Sequence, residues 1–162
     1  RRNKNMRIIA HRANKNGSNP QTENKMESIY KSIESGFDVE IDIRMIQDIL
    51  YLGHDLPENT ISLDQIDELS EYLWIHCKNL EALQYFSEKS NNNKYNYFWH
   101  DKDAYTLTSK GFIWSYPGSK LSYNSINVMP EWTIKKEEFE NIKKDDIYGI
   151  CTDYPCLIKK IF

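Results

Sequence analysis

Between Met6 and Ile43 the residues spell an apolar strand, an amphipathic helix and a second apolar strand, an order that restricts the chain to folds built on a parallel sheet. Met6 to Ala10 reads as a buried strand. Met26 to Ser35 reads as a helix with Met26, Ile29, Tyr30 and Ile33 on one side, and Phe37 to Ile43 as the returning strand. The alternation continues with a short extended piece at Ile49 to Leu52, a helix over Leu63 to Leu69 begun near Ser62, a strand over Leu73 to Cys77 and a helix over Leu80 to Ser87. Beyond the polar loop Asn91-Asn92-Asn93, the runs Tyr97-Phe98-Trp99, Phe112-Ile113-Trp114 and Ile126-Asn127-Val128-Met129 are strand-sized, with no helical pattern between them. Lys135 to Ile142 reads as a helix feeding a strand over Ile147 to Cys151, with a short terminal helix after Pro155. The expectation is one α/β domain over residues 1–162 with about seven to eight mainly parallel strands.

Composition narrows what such a domain does. A hydrophobic content of 40% in 162 residues suits a single core. A net charge of −3 without any basic run argues against nucleic acid as a standing partner, because a phosphate backbone needs a clustered Lys/Arg face. No apolar stretch approaches the roughly 18 residues of a membrane span, so stable membrane insertion is not expected. Cys77, Cys151 and Cys156 lack metal-ligand spacing and read as buried or free thiols, which suits a reducing, cytoplasmic setting. The start, Arg1-Arg2-Asn3-Lys4, is not followed by a signal-peptide core, although a chain that does not begin with Met leaves a removed leader open.

The chemistry-bearing residues crowd the first third of the chain. Glu40 and Asp42 are spaced i, i+2, which on a strand puts both carboxylates on one face, and His11 and His54 bracket them in sequence. Two histidines around paired carboxylates are the minimum set for metal-assisted acid/base chemistry. Each residue alone has a plainer reading, as a solvated strand end or a turn residue.

Together they resemble a known family. His11-Arg12, Glu23-Asn24, Gly36 with Asp38-Val39-Glu40-Ile41-Asp42, and His54-Asp55 occur in the order and approximate spacing of the glycerophosphodiester phosphodiesterases. Gly149-Ile150-Cys151-Thr152-Asp153-Tyr154-Pro155 is similar to that family's closing strand and turn. The resemblance implies a TIM-type (β/α) barrel. A full eight-unit barrel takes about 250 residues, so this one must be small and trimmed, with helices missing around Tyr95 to Met129.

The resemblance also implies roles. Glu40 and Asp42 would bind one divalent cation, Mg²⁺ or Ca²⁺ first and Mn²⁺ as the alternative, and Arg12 and Lys78 would contact phosphate. His11 and His54 would divide the proton work as a neighbouring hydroxyl of the substrate attacks phosphorus, with acid and base unassigned. Glu23 and Asp55 would brace the site, and the Glu23-Asn24 pair would cap the first helix. Two departures stand out. Where the family has Glu-x-Lys, this chain reads His76-Cys77-Lys78, so an imidazole replaces the third metal carboxylate and moves the preference toward Mn²⁺ or Zn²⁺. Ala13 stands where the family commonly has Gly, a mild change unless φ there is positive. His100-Asp101 is a weaker candidate that reads equally well as a surface turn.

The expected activity is therefore that of a metal-dependent phosphodiester hydrolase acting on a glycerophosphodiester or related small phosphodiester. The alternative is a domain of the same fold that keeps the phosphate pocket and has lost turnover through His76. The aromatic residues Trp99, Tyr105, Phe112, Trp114, Tyr116 and Trp132 exceed what a trimmed barrel can bury, which raises a homodimer as a further expectation.

Overall fold

The computed structural model describes residues 6–89, 93–142 and 146–162, so Arg1-Arg2-Asn3-Lys4 and most of the Asn91-Asn92-Asn93 loop lie outside the described residues. Strand β1 (Arg7–His11) leads into helix α1 (Met26–Glu34) and strand β2 (Asp38–Ile46), which turns back through β3 (Ile49–Leu52) and β4 (Asn59–Thr60). Helix α2 (Leu63–Leu69), β5 (Leu73–Cys77), α3 (Leu80–Lys89) and β6 (Asn96–Phe98) follow. Then come β7 (Tyr105–Leu107), β8 (Ile113–Ser115), β9 (Ser125–Val128), β10 (Gly149–Thr152) and α4 (Pro155–Ile161).

The strands form one curled sheet that mixes parallel and antiparallel pairs. Its parallel part runs β6-β5-β2-β1-β10-β9-β8, seven strands in line. The antiparallel part consists of β7 on β8, and of β3 and β4 stacked on the far end of β2. The seven parallel strands are those of the sequence pattern. The expected closed barrel ladder is not formed among the described residues. The β6 and β7 ends of the sheet are joined instead by single bonds: Ser109 N–H donates to the Tyr97 carbonyl at 2.9 Å, and the Thr106 hydroxyl donates to the Trp99 carbonyl at 2.8 Å. Strands of three residues with no crossover helix between them are too short to carry a continuous ladder around the barrel.

Side-chain alternation sorts the core. On β2, Val39, Ile41 and Ile43 face outward into a cluster with Ile29, Ile66, Ala82 and Phe86, beneath the helices. The intervening Asp38, Glu40 and Asp42 face the inside of the curl, where they are buried. Ile9 of β1, Trp74 of β5, Phe98, Trp114, Ile126 and Val128 fill that inside, with Phe98 and Trp114 ring centroids 4.6 Å apart. A third cluster seats α4, through Ile158, on Ile150 of β10.

Several local expectations need correction. Tyr30 points to solvent and Ser32 is buried in its place, where its hydroxyl reaches the Ala13 carbonyl at 3.0 Å. Lys136–Asn141 is a 3₁₀ helix rather than an α-helix, and β7 is a strand the apolar pattern omits. Ser62 caps α2 as expected, in a reciprocal capping box with Gln65.

Candidate functional site

Strand register brings the acidic residues to their partners. His11 lies beside Glu40 across the β1–β2 pair, and Asp42 lies beside His76 across the β2–β5 pair. Because β1, β2 and β5 are parallel, these four inward side chains and the residues just after β1, β5 and β10 converge at one end of the curl. There His11, Glu40 and His76 border a cavity of about 360 Å³, and Asp42, fully buried, does not line it. All four histidines of the chain, His11, His54, His76 and His100, line it, together with Arg12, Glu40 and Lys78. The opposite wall is apolar and aromatic, with Trp114, Tyr116, Met129 and Trp132.

Each member of the acidic group has one atom spoken for and one free. Glu40 Oε1 accepts the Arg12 backbone N–H at 3.0 Å. Asp42 Oδ2 accepts the Asn24 amide at 2.9 Å, while Asn24 Oδ1 accepts the Asp42 backbone N–H at 3.0 Å. A carbonyl can only accept, so the 3.1 Å contact from His76 Nε2 to the His100 carbonyl fixes the proton on Nε2 and turns Nδ1 toward the carboxylates. Nδ1 lies 3.6 Å from Glu40 Oε2 and 3.3 Å from Asp42 Oδ1. Asp42 Oδ1 is buried without a hydrogen-bond partner, an arrangement that a cation would satisfy. One ligand atom from each of Glu40, Asp42 and His76 falls within 4.8 Å of the others, so the three can hold a metal ion. Two oxygens and an imidazole nitrogen suit Mn²⁺ as well as Mg²⁺ or Ca²⁺.

Without a metal, the same geometry holds a proton. Burial opposes charge on His76, but the Asp42 and Glu40 carboxylates outweigh it and the imidazole is pushed up to about 9. Burial would raise Asp42, yet His76, Asn24 and Arg12 hold its carboxyl well below the usual range.

His11 Nδ1 donates to Asp153 Oδ1 at 2.8 Å, which leaves Nε2 toward the cavity, 4.0 Å from Glu40 Oε1. Burial works against the imidazolium, but Asp153 and Glu40 raise His11 above its ordinary value. Asp153 in turn accepts the Asn14 amide at 2.9 Å, and its backbone N–H donates to Glu131 at 2.8 Å. His54 sits in a chain of contacts. Its Nδ1 meets the exposed Asp55 at 2.7 Å, and Lys78 Nζ approaches its Nε2 at 3.4 Å. An ammonium donates, so His54 Nε2 holds its lone pair toward Lys78.

Arg12 lies between Asp42 and Glu23, 3.4 Å from each, and so reaches the cavity already paired with acids. Glu23 thus stands beside Arg12 at the edge of the site. Asn24 does not cap α1, whose cap position, Lys25, makes no side-chain bond; its amide is committed to Asp42. His100 enters the site through its carbonyl, while its ring turns to the Asp103 carbonyl and stacks on Tyr116. Ala13 has φ +65, so the replacement of Gly does place a side chain in the left-handed region, with the methyl packed in the core.

The residues that sequence reasoning missed are the buttresses Asn14, Asp153 and Glu131. Asp153 belongs to the closing signature, which is the one signal that could have marked it; nothing in the sequence points to Asn14 or Glu131. No family model matches this chain, and no curated protein matches it.

Proposed function

We propose that the protein is a metal-dependent phosphodiester hydrolase acting on a glycerophosphodiester or a related small phosphodiester, carried on a trimmed barrel of the glycerophosphodiester phosphodiesterase type. The observation that carries this reading is the convergence of every histidine, Arg12, Lys78 and Glu40 on one cavity, with buried Asp42 grouped beside Glu40 and His76. Glu40, Asp42 and His76 would hold one divalent cation, whose contribution is to polarise a phosphoryl oxygen. Lys78 and Arg12 would receive the phosphate. A phosphate that draws Lys78 away frees the lone pair on His54 Nε2 to take the proton of an attacking hydroxyl. His11, held by Asp153, returns a proton to the leaving alkoxide.

A second reading rests on a specific observation. The His76 imidazolium lies between Glu40 and Asp42, where the cation would sit, and such a pair suits a phosphate-binding domain without turnover. Hydrolysis of bis(p-nitrophenyl) phosphate and glycerophosphocholine with Mg²⁺, Ca²⁺, Mn²⁺ or EDTA, for wild type and His11→Ala, separates the two. Metal-dependent turnover lost in the variant supports the hydrolase; folded protein without turnover under any metal supports the binding domain. The substrate is a small molecule in either case. The homodimer expectation is carried only by the exposed aromatic rings, and light scattering tests it directly.

A further inference from the structure

We propose that Arg44 is a positioning residue for His54, acting through the backbone of the loop that carries it; the catalytic part of this claim rests on the hydrolase reading above. Arg44 lies on β2, two residues beyond Asp42, where β2 pairs antiparallel with β3 and Arg44 stands opposite Tyr51. The ladder ends at Leu52. Past it, Gly53 N–H donates to the Asp42 carbonyl at 3.1 Å, and the chain then turns sharply away from the strand.

At this turn Arg44 holds the loop from below. Its Nε donates to the Gly53 carbonyl at 3.3 Å, and its Nη2 donates to the His54 carbonyl. The planar guanidinium presents these donors as a fixed fork, so two successive peptide groups are set in one orientation. Gly53 makes the arrangement necessary. Its φ is +149, and a Cβ there would lie 1.9 Å from the Leu56 carbonyl oxygen, so the loop folds back on itself too closely for any side chain. A loop bent this tightly gives its first two carbonyls to a side chain instead of a strand, and Arg44 supplies the donors. Arg44 does not line the cavity, so it meets no substrate, and its influence on chemistry passes through His54. The strand that carries Glu40 and Asp42 therefore also sets the imidazole across from them.

The test uses ¹⁵N-histidine-labelled protein and two variants, Arg44→Met and Arg44→Lys. In wild type, His54 is expected as a single Nδ1–H tautomer. In Arg44→Met its ring signals should broaden and average between tautomers, while those of His11 and His76 stay in place. Arg44→Lys, with one ammonium for two carbonyls, should be intermediate, and it decides the matter if Arg44→Met fails to fold. Turnover of bis(p-nitrophenyl) phosphate should fall about 10- to 100-fold in kcat with KM held within about 2-fold, the loss expected when a supporting residue is removed. In a His54→Ala background the same Arg44→Met change should cost nothing further. Unchanged His54 signals in the variants, or a full additional loss in the His54→Ala background, overturn the proposal. Absence of turnover in wild type overturns the hydrolase reading instead, and the His54 spectra then decide Arg44 by themselves.

Discussion

From Arg7 to Lys78 the inward strand residues include the charged Asp38, Glu40 and Asp42 with His11 and His76, beside Ile9 and Trp74, and the outward residues lie under α-helices. From Asn96 to Trp132 the inward strand residues are Phe98, Trp114, Ile126 and Val128, and no α-helix covers the outside among the described residues. The first region holds its polar groups by cross-strand register and by reciprocal bonds such as Asn24 with Asp42. The second is tied by isolated side-chain bonds and aromatic contacts. A precise reactive group needs rigid supports, while, on the hydrolase reading proposed above, a surface that selects among substrates can stand on short strands and loops. The cavity lining follows this division in part, with His11, Arg12, Glu40, His54, His76 and Lys78 from the first region and His100, Asp101, Tyr116 and Trp132 from the second.

The sharpest way to break this comparison is Asp42→Ala. Asp42 is fully buried, and its loss strands His76, Arg12 and the Asn24 amide at once. The expected cost is about 3–5 kcal/mol, typical of removing one partner from a buried charged network, together with loss of Mn²⁺ binding and of turnover. Urea denaturation and a Mn²⁺ titration check both. A small stability change would mean that the first region is not braced through its acids.

Next in size is the pH dependence of the metal-free protein. His76 has its folded value raised to about 9, so its contribution is fully present below the unfolded value near 6.5 and is lost as pH rises through about 9. Asp42 is depressed, so its contribution is present above the ordinary carboxylate range and is lost as pH falls through it. Stability should therefore hold a plateau in mildly acidic solution and decline by about 3 kcal/mol between pH 6.5 and 9. Denaturation midpoints across that range check it, and Asp42→Asn should flatten the decline by weakening the Asp42–His76 ion pair.

The second region predicts the converse. Trp132 is 64% exposed, so Trp132→Ala should change stability by less than about 1 kcal/mol. Its ring lines the cavity, however, and the ratio of kcat/KM for glycerophosphocholine over bis(p-nitrophenyl) phosphate should shift by about 10-fold, the size of losing one apolar contact to a substrate group. An unchanged ratio would place selection elsewhere.

The same contrast governs what the sequence makes legible. Period-two alternation in Asp38 to Ile43 and period 3.6 in α1 and α3 reflect burial on one face, so strand order and the paired carboxylates could be read directly. Tyr30 and Ser32 break the α1 pattern because a hydroxyl bonded to the Ala13 carbonyl buries more easily than a phenol with no inward partner. Asp153 meets His11 and Asn14 across some 140 residues of chain, a proximity created by β10 pairing with β1. Arg44 acts on backbone carbonyls, which leave no trace in residue identity. The β7 strand escaped for a different reason: Tyr105 and Leu107 are exposed, so Tyr105-Thr106-Leu107 carries no burial pattern at all.

A last, smaller test concerns the hairpin that carries His54. Gln47 and Asp48 connect β2 to β3 as a two-residue turn with φ +50 and +65, the left-handed pair that twists in step with its strands and that Asn-Gly fills best. Gln-Asp does not announce such a turn, which is why the strand reads as ending at Ile43 and Ile49 to Leu52 reads as a separate piece rather than as its facing partner. Both turn residues are exposed and make no contact with the cavity, so Asp48→Gly relieves the left-handed penalty without removing a packed group. The gain should be about 0.5–1 kcal/mol, less whatever entropy glycine adds to the unfolded chain, and thermal melting measures it. Turnover should not change, because His54 is fixed at the other end of β3 by Arg44 and the Gly53 bond to Asp42. A variant that melts higher and loses activity would mean that His54 takes its position from the turn, and the rigid half of the molecule would then extend to the hairpin tip.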